Sequence, residues 1–118
     1  MSIFKAYDIR GMYPEDINEG IAYELGIAFA GYLKNDFVIG RDTRISAPPL
    51  LKALSDGIMD SGFDVTDIGI VDTPALYFAT AFYGFKAGVM ITASHNPKGY
   101  NGFKICEENA IPAGEDSG

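Results

Sequence analysis

Thr92-Ala-Ser-His-Asn-Pro-Lys-Gly-Tyr-Asn-Gly102, continued by Phe103-Lys-Ile105, is the stretch on which the reading of this chain turns. It gathers a serine, a histidine, two asparagines and a lysine between the apolar runs Gly88-Val-Met-Ile91 and Phe103-Lys-Ile105, the second of which carries Lys104. A turn rich in Asn, Pro and Gly between strand-like runs presents its side chains outward from a rigid scaffold. The same turn reverses the chain, so the two flanking strands are expected to pair antiparallel and any sheet holding them to be mixed.

Outward from this turn, strand-like and helix-like stretches alternate, which is the pattern of an α/β layer fold. Ile3 to Tyr7 reads as a first strand. Asp16, with Glu19 three residues on, reads as a capping-box start, and Ile21, Leu25, Ala28, Phe29 and Tyr32 give a helical stripe ending near Leu33. Phe37-Val-Ile-Gly40 reads as a short buried strand. Ser46 is placed to cap a second helix with prolines in its first turn, an inner stripe of Leu50, Leu51, Leu54 and Ile58, and a stop at Gly62. Phe63 to Ile70 alternates less regularly and reads as a strand of uncertain register. Thr73-Pro74 opens a third helix running to Tyr83, Val89-Met-Ile91 reads as a central strand covered on both faces, and Phe103 to Cys106 as the last strand. Three chemistry-bearing stretches follow strand ends: Asp8-Ile-Arg-Gly11, Arg41-Asp-Thr-Arg44 and Ser94 to Asn101. Ligands of open α/β sheets gather at that edge, so the three are expected to converge there.

Composition bounds the function. A chain of 118 residues forms one domain able to bury roughly two-thirds of its unfolded surface. Sixteen acids against nine bases argue against a nucleic-acid partner, since binding a phosphate backbone needs a basic field. No apolar run approaches the ~20 residues that span a bilayer, so no membrane partner is expected, and the chain is expected in the cytoplasm. The single cysteine, Cys106, cannot form an internal disulfide and is expected to pack as a small apolar filler. Arg10, Arg41, Arg44, Lys98 and Lys104 nevertheless cluster in or beside the motif stretches, so a phosphate-attracting cleft on an acidic body is expected.

Thr92-Ala-Ser-His-Asn-Pro97 followed by Asn101-Gly-Phe-Lys104 resembles the phosphoserine loop of the α-D-phosphohexomutases, the phosphomannomutase and phosphoglucomutase family. Phe4-Lys-Ala-Tyr-Asp-Ile-Arg-Gly11 and Gly40-Arg-Asp-Thr-Arg44 are similar to two further stretches of that family, in the same order. The resemblance implies the first domain of a four-domain enzyme: a three-layer α/β/α fold with a mixed, mostly parallel sheet over residues 1–107, and a flexible tail or linker over 108–118. It implies that the enzyme interconverts hexose 1-phosphate and 6-phosphate through a phosphoserine and a hexose 1,6-bisphosphate. It also implies Mg²⁺, held by phosphorylated Ser94 with aspartates of an Asp-Gly-Asp-Gly-Asp loop that this sequence does not contain. The opening motif, with Asn-Gly-Phe-Lys where glucosamine mutases carry Asn-Gly-Ile-Lys, favours the phosphomannomutase/phosphoglucomutase branch.

Site residues follow from the same match. Ser94 is the expected phosphoryl carrier, because a phosphorylated serine is a dianionic donor. His95 beside it suits holding a phosphate oxygen or moving a proton near neutral pH. Lys104, on the returning strand, is the candidate general acid/base, and Arg10 resembles the family arginine whose donors meet the transferring oxygens. Tyr7, Asn96 and Lys98 are assigned to substrate binding, with Asn96 and Pro97 also shaping the turn. Arg41 and Arg44 either attract phosphate or pair with an aspartate, and Asp42 either pairs with Arg44 or holds its loop. The chain alone is expected to be inactive. A different class of function stays open beside this one: a free-standing, non-catalytic module that binds phosphate or sugar phosphate.

Overall fold

The computed structural model describes residues 8–82, 87–92, 99–107 and 111–112, with side chains at 9–76, 78–80, 87–92 and 99–105. The expected first strand, Ile3 to Tyr7, and the side chain of Cys106 lie outside that description. In chain order the elements are β1 (Asp8–Met12), α1 (Glu19–Leu33), β2 (Phe37–Arg41), α2 (Ala47–Asp60), β3 (Val65–Ile70), α3 (Thr73–Phe82), β4 (Ala87–Ile91), β5 (Tyr100–Glu107) and β6 (Ile111–Pro112). No helix among the described residues is long and apolar enough to cross a membrane.

The sheet runs β1-β5-β4-β2-β3, with β6 pairing on β5. β2 is parallel to β3 and β4, whereas β5 is antiparallel to β4, β1 and β6. Every strand but β5 therefore points the same way, and the sheet is mixed because the chain leaves β4 and comes back through β5 in the opposite direction. Side chains alternate across it. Phe37, Ile39, Val89, Ile91, Phe103 and Ile105 meet Leu25 and Phe29 of α1 and Leu50, Leu54 and Ile58 of α2 in one core. Val38 and Met90 point the other way and meet Leu76 of α3. Three layers result, α1 and α2 on one face and α3 on the other, with the wholly buried β4 in the middle of the path.

Several elements are settled by contacts distant in sequence. Residues 8–11, expected as a loop, are strand, because β5 pairs with them from Asp8↔Lys104 to Met12↔Tyr100. Asn18 caps α1 in place of Asp16, its side chain accepting from Ile21 N at 3.0 Å, while Asp16 accepts from Met12 N at 3.1 Å and closes the preceding turn. The buried face of α1 is Ala22, Leu25, Gly26, Phe29 and Ala30. Ile21 and Tyr32 of the expected stripe are 41% and 44% exposed. The reason is close approach: a Cβ on Gly26 would stand 2.3 Å from Leu54 O, and one on Gly57 2.2 Å from Tyr23 O. The helices meet glycine to backbone, which rotates α1 about its axis toward its small residues.

α2 starts and stops where the prolines and Gly62 place it, Gly62 taking φ +99°. Ser46 makes no side-chain cap, since its backbone is already helical at φ -75°, ψ -10° and Pro occupies the first helical positions. The uneven alternation of Phe63 to Ile70 is a bulge: β2 residues 39 and 40 pair with Asp67 and Gly69, skipping Ile68, and Gly69 adopts φ +81°. α3 opens at Thr73, as expected, and Asp72 caps it by accepting from Ala75 N at 2.8 Å. Its expected end, Tyr83, lies outside the described residues. Ile111–Pro112, inside the stretch expected as a tail, forms β6.

Candidate active site

The carboxyl ends of β2, β3 and β4 open on a cleft of about 1080 Å³. Its walls come from the loop after β2 (Asp42, Thr43, Arg44, Ile45), the start of α2 (Ser46, Pro49), the stretch from Ile70 to Pro74, Met90 and Thr92 on β4, and Gly99 and Tyr100 where the chain returns. Residues 42–44 of the second expected stretch and the described end of the Ser94–Asn101 stretch, Gly99 and Tyr100, thus meet on one edge. The third, Asp8-Ile-Arg-Gly11, reaches the site as a strand.

Ser94, His95, Asn96, Lys98 and Tyr7 lie outside the described residues. What brackets them is described. β4 delivers the chain at Thr92, whose N–H donates to Gly102 O at 3.0 Å, and β5 takes it back from Gly99, whose carbonyl accepts from Tyr13 N at 2.8 Å. The chain therefore leaves the sheet at Thr92 and re-enters it at Gly99, at adjacent strand ends.

Arg10 and Lys104 are described, and the sheet brings them together. Arg10 is the register partner of Gly102, and Gly102 bonds to Thr92 on its other side, so the three form one rung over β1, β5 and β4. Lys104 sits two residues along β5 from Gly102, opposite Met90, which lines the cleft. Directly paired residues in a sheet share a face, and diagonal neighbours stand about 7–8 Å apart, so the arginine and lysine lie side by side on the α3 face next to the exit of the Ser94 segment. Arg10 is exposed and Lys104 half-buried. Gly102 permits this: a Cβ there would stand 2.2 Å from Ile9 O.

Arg41 and Arg44 both take the aspartate-paired alternative, Arg41 at 3.6 Å from Asp67 and Arg44 at 3.4 Å from Asp42. Reading the chain by stretches missed their connections. Asp42 accepts from the Thr92 hydroxyl at 2.7 Å, Arg44 Nη1 donates to Tyr100 O at 3.1 Å, and buried Asn101 donates its amide to Ser46 Oγ at 2.8 Å. Tyr13 at the cleft rim donates its hydroxyl to Glu19 at 2.8 Å, and that bond, ahead of desolvation and the carboxylate's charge, holds the phenol above its ordinary pKa. Among the described residues no group of three His, Cys, Asp or Glu side chains could hold a metal ion.

Residues 1–117 match the family model for phosphoglucomutase/phosphomannomutase, alpha/beta/alpha domain I. The chain is 48% identical over 119 residues to a phosphomannomutase of Klebsiella pneumoniae, covering all of this chain and 76% of that relative. It is equally 48% identical to an Escherichia coli phosphomannomutase, of which it spans 26%. A crystal structure of a phosphoglucomutase/phosphomannomutase family protein from Burkholderia thailandensis superposes with TM-score 0.83 at 40% identity, over 93% of this chain and 27% of the other.

Proposed function

The chain belongs to the phosphoglucomutase/phosphomannomutase family, whose α/β/α domain I it matches over nearly its whole length, and from that membership we propose that it carries the phosphoryl group of a hexose phosphate mutase on Ser94. The observation that carries this reading is the rung of Arg10, Gly102 and Thr92, with Lys104 diagonal to Arg10. It sets a fixed cation and an amine beside the point where the serine segment leaves the sheet.

In this reading the hydroxyl of a bound hexose monophosphate attacks the phosphorus on Ser94. The bond from phosphorus to Ser94 Oγ breaks as the bond to the sugar oxygen forms. Lys104 takes the hydroxyl proton, Arg10 meets the charge that spreads over the transferring oxygens, and His95 is the neighbour able to return a proton to the serine oxygen. The hexose 1,6-bisphosphate so formed turns over and returns its other phosphoryl group by the reverse steps. Tyr7, Asn96 and Lys98 contact the substrate. Mg²⁺, where bound, would neutralise phosphate charge, and the family resemblance implies that phosphorylated Ser94 and carboxylates from the remaining mutase domains would hold it. Mannose and glucose phosphates are the substrates that the branch motifs favour, and a cytoplasmic location belongs to the same reading.

Incubation of the protein with glucose 1,6-bisphosphate, followed by digestion and mass spectrometry, tests it. One phosphate on the peptide containing Ser94, absent from Ser94→Ala, is the expected result. Phosphate on His95 or on another serine overturns it.

A further inference from the structure

The loop after β2 holds both legs of the segment that contains Ser94. On the outgoing leg, Thr92 Oγ1 donates to Asp42 Oδ2 at 2.7 Å and Asp42 N donates to Ile91 O at 3.1 Å. On the returning leg, Arg44 Nη1 donates to Tyr100 O at 3.1 Å, and the amide of Asn101 donates to Ser46 Oγ at 2.8 Å. The grip is braced within itself. Arg44 N donates to Asp42 Oδ1 at 3.0 Å, and Arg44 Nε lies 3.4 Å from Asp42 Oδ2. Thr92 and Asn101 are 5% and 0% exposed, so these contacts are made at the sheet rather than in open solvent.

Sheet register alone would keep the two legs adjacent without needing a hydroxyl at position 92 or a carboxylate at 42. Register fixes which residues face each other but leaves the angle at which a loop departs to its end contacts. A charge-assisted bond at one leg and a guanidinium bond at the other, joined through one carboxylate, fix that angle at both ends. Phosphoryl transfer depends chiefly on positioning, and small misplacements are costly.

We infer that Asp42 is a positioning residue for transfer at Ser94, acting through Thr92 on the outgoing leg and through Arg44 on the returning one. The inference rests on the reading of Ser94 as phosphoryl carrier. Asp42 touches neither sugar nor phosphate in it, so its removal should lower kcat by roughly 10²-fold while KM for the hexose phosphate stays nearly constant.

The test uses Asp42→Asn, Thr92→Val, Thr92→Ser and the double variant, each assayed for turnover of glucose 1-phosphate in the full-length protein. Amide hydrogen exchange over residues 92–102 is followed in the same set. Expected are a kcat loss in Asp42→Asn and Thr92→Val with KM held, a double variant no worse than the worse single, faster exchange over 92–102, and recovery of most turnover in Thr92→Ser. Additive losses, a loss carried by KM, or unchanged kcat in folded variants would overturn it. Should Asp42→Asn not fold, the nearly isosteric Thr92→Val decides alone. Wild-type protein that neither turns over nor accepts phosphate on Ser94 would remove the phosphotransfer reading. The exchange arm still judges the grip in that case: unchanged exchange in Thr92→Val overturns it, and faster exchange restored by Thr92→Ser supports it.

Discussion

Lys104 and Met90 are register partners across β5 and β4, and Met90 lines the cleft at the carboxyl edge of the sheet. The lysine therefore stands one strand from the cleft wall, on the same face, diagonal to Arg10. That face is set by parity alone: Phe103 and Ile105 are buried against α1 and α2, so the residue between them must point the other way. A shift of one residue in β5 would bury the amine in the core and expose a phenylalanine, which ties the placement of Lys104 to the burial of Phe103.

If Lys104 moves the proton as proposed, Lys104→Met is expected to lower mutase turnover of a protein carrying the remaining domains by roughly 10²–10⁴-fold, the usual worth of a positioned proton-transfer group. The substitution keeps the length of the side chain and removes the amine. Ser94 is still expected to take phosphate from the bisphosphate, because the acceptor remains. Steady-state rates together with the mass of the serine peptide check this, and unchanged turnover would assign Lys104 to the surface.

Gly102→Ala should damage the fold and the site together. The added methyl would lie 2.2 Å from Ile9 O and 3.0 Å from Arg10 Cα, so β1 must move away from β5. Overpacking of this kind costs about 1–3 kcal/mol, and here it also displaces Arg10. A lower denaturant midpoint with faster amide exchange over residues 8–12 is the expected result. An alanine variant as stable as wild type would show that the strands have room to spare.

Much of this was readable from local pattern. The bounds of α2, the buried run of β4, the return of the chain antiparallel through β5 and the mixed sheet all follow from periodicity and turn residues. What escaped depended on partners far along the chain. Residues 8–11 carry too few apolar side chains to announce a strand, and β5, their partner, lies some ninety positions on. The face of α1 is chosen by the contact of Gly26 with α2, which no stripe of large residues reveals. Ser46 is a fitting cap by type, yet its hydroxyl is taken by Asn101, 55 residues away. The site was legible in a different sense. Family motifs named Arg10 and Lys104, and only the register shows that they share a face. The bond from Thr92 to Asp42 spans 50 residues and left no trace in either motif by itself.

Tyr13 provides a pH test. Its hydroxyl donates to the Glu19 carboxylate, a bond that needs the phenol protonated, and the phenol is accordingly held above its ordinary pKa. A folded-state pKa raised above the unfolded value of about 10 means that the folded chain keeps its proton longer. The contribution to stability is whole below about pH 10 and is lost as pH rises through the folded value. The pair is accessible to solvent, so the effect should be small. Tyr23, bonded to Asp60, is raised in the same direction. An ultraviolet titration should show both phenols ionising late, with one late phenol fewer in Tyr13→Phe. An unaltered late set in that variant would detach Tyr13 from Glu19.

The 118-residue chain by itself is expected to bind phosphate on Ser94 at most once and to show no mutase turnover. A mutase must hold both ends of its substrate, because the phosphoryl group passes to one end while the other end's phosphate is gripped, and then the sugar turns over. In the proposed reading Arg10 and Lys104 stand beside one transfer point, at the sheet edge that the chain leaves at Thr92 and rejoins at Gly99. The cleft beside them is lined by Ile45, Pro49, Ile70, Val71 and Pro74 as well as by Arg44 and Asp42, and both charged residues of that set are committed to each other. A second phosphate finds no comparable cation cluster among the described lining residues. The chain also spans only 26% of the Escherichia coli relative and 27% of the Burkholderia one, so the length for a distal phosphate site exists in those proteins outside the matched region. Since positioning supplies much of phosphoryl-transfer catalysis, a site that fixes one end only should transfer and not cycle. The purified chain, supplied with glucose 1-phosphate, Mg²⁺ and a catalytic amount of glucose 1,6-bisphosphate, should give no glucose 6-phosphate above the uncatalysed background. Turnover near that of a full-length relative would mean that these 118 residues hold both ends of the sugar, and the distal phosphate would then have to be sought in the cleft itself.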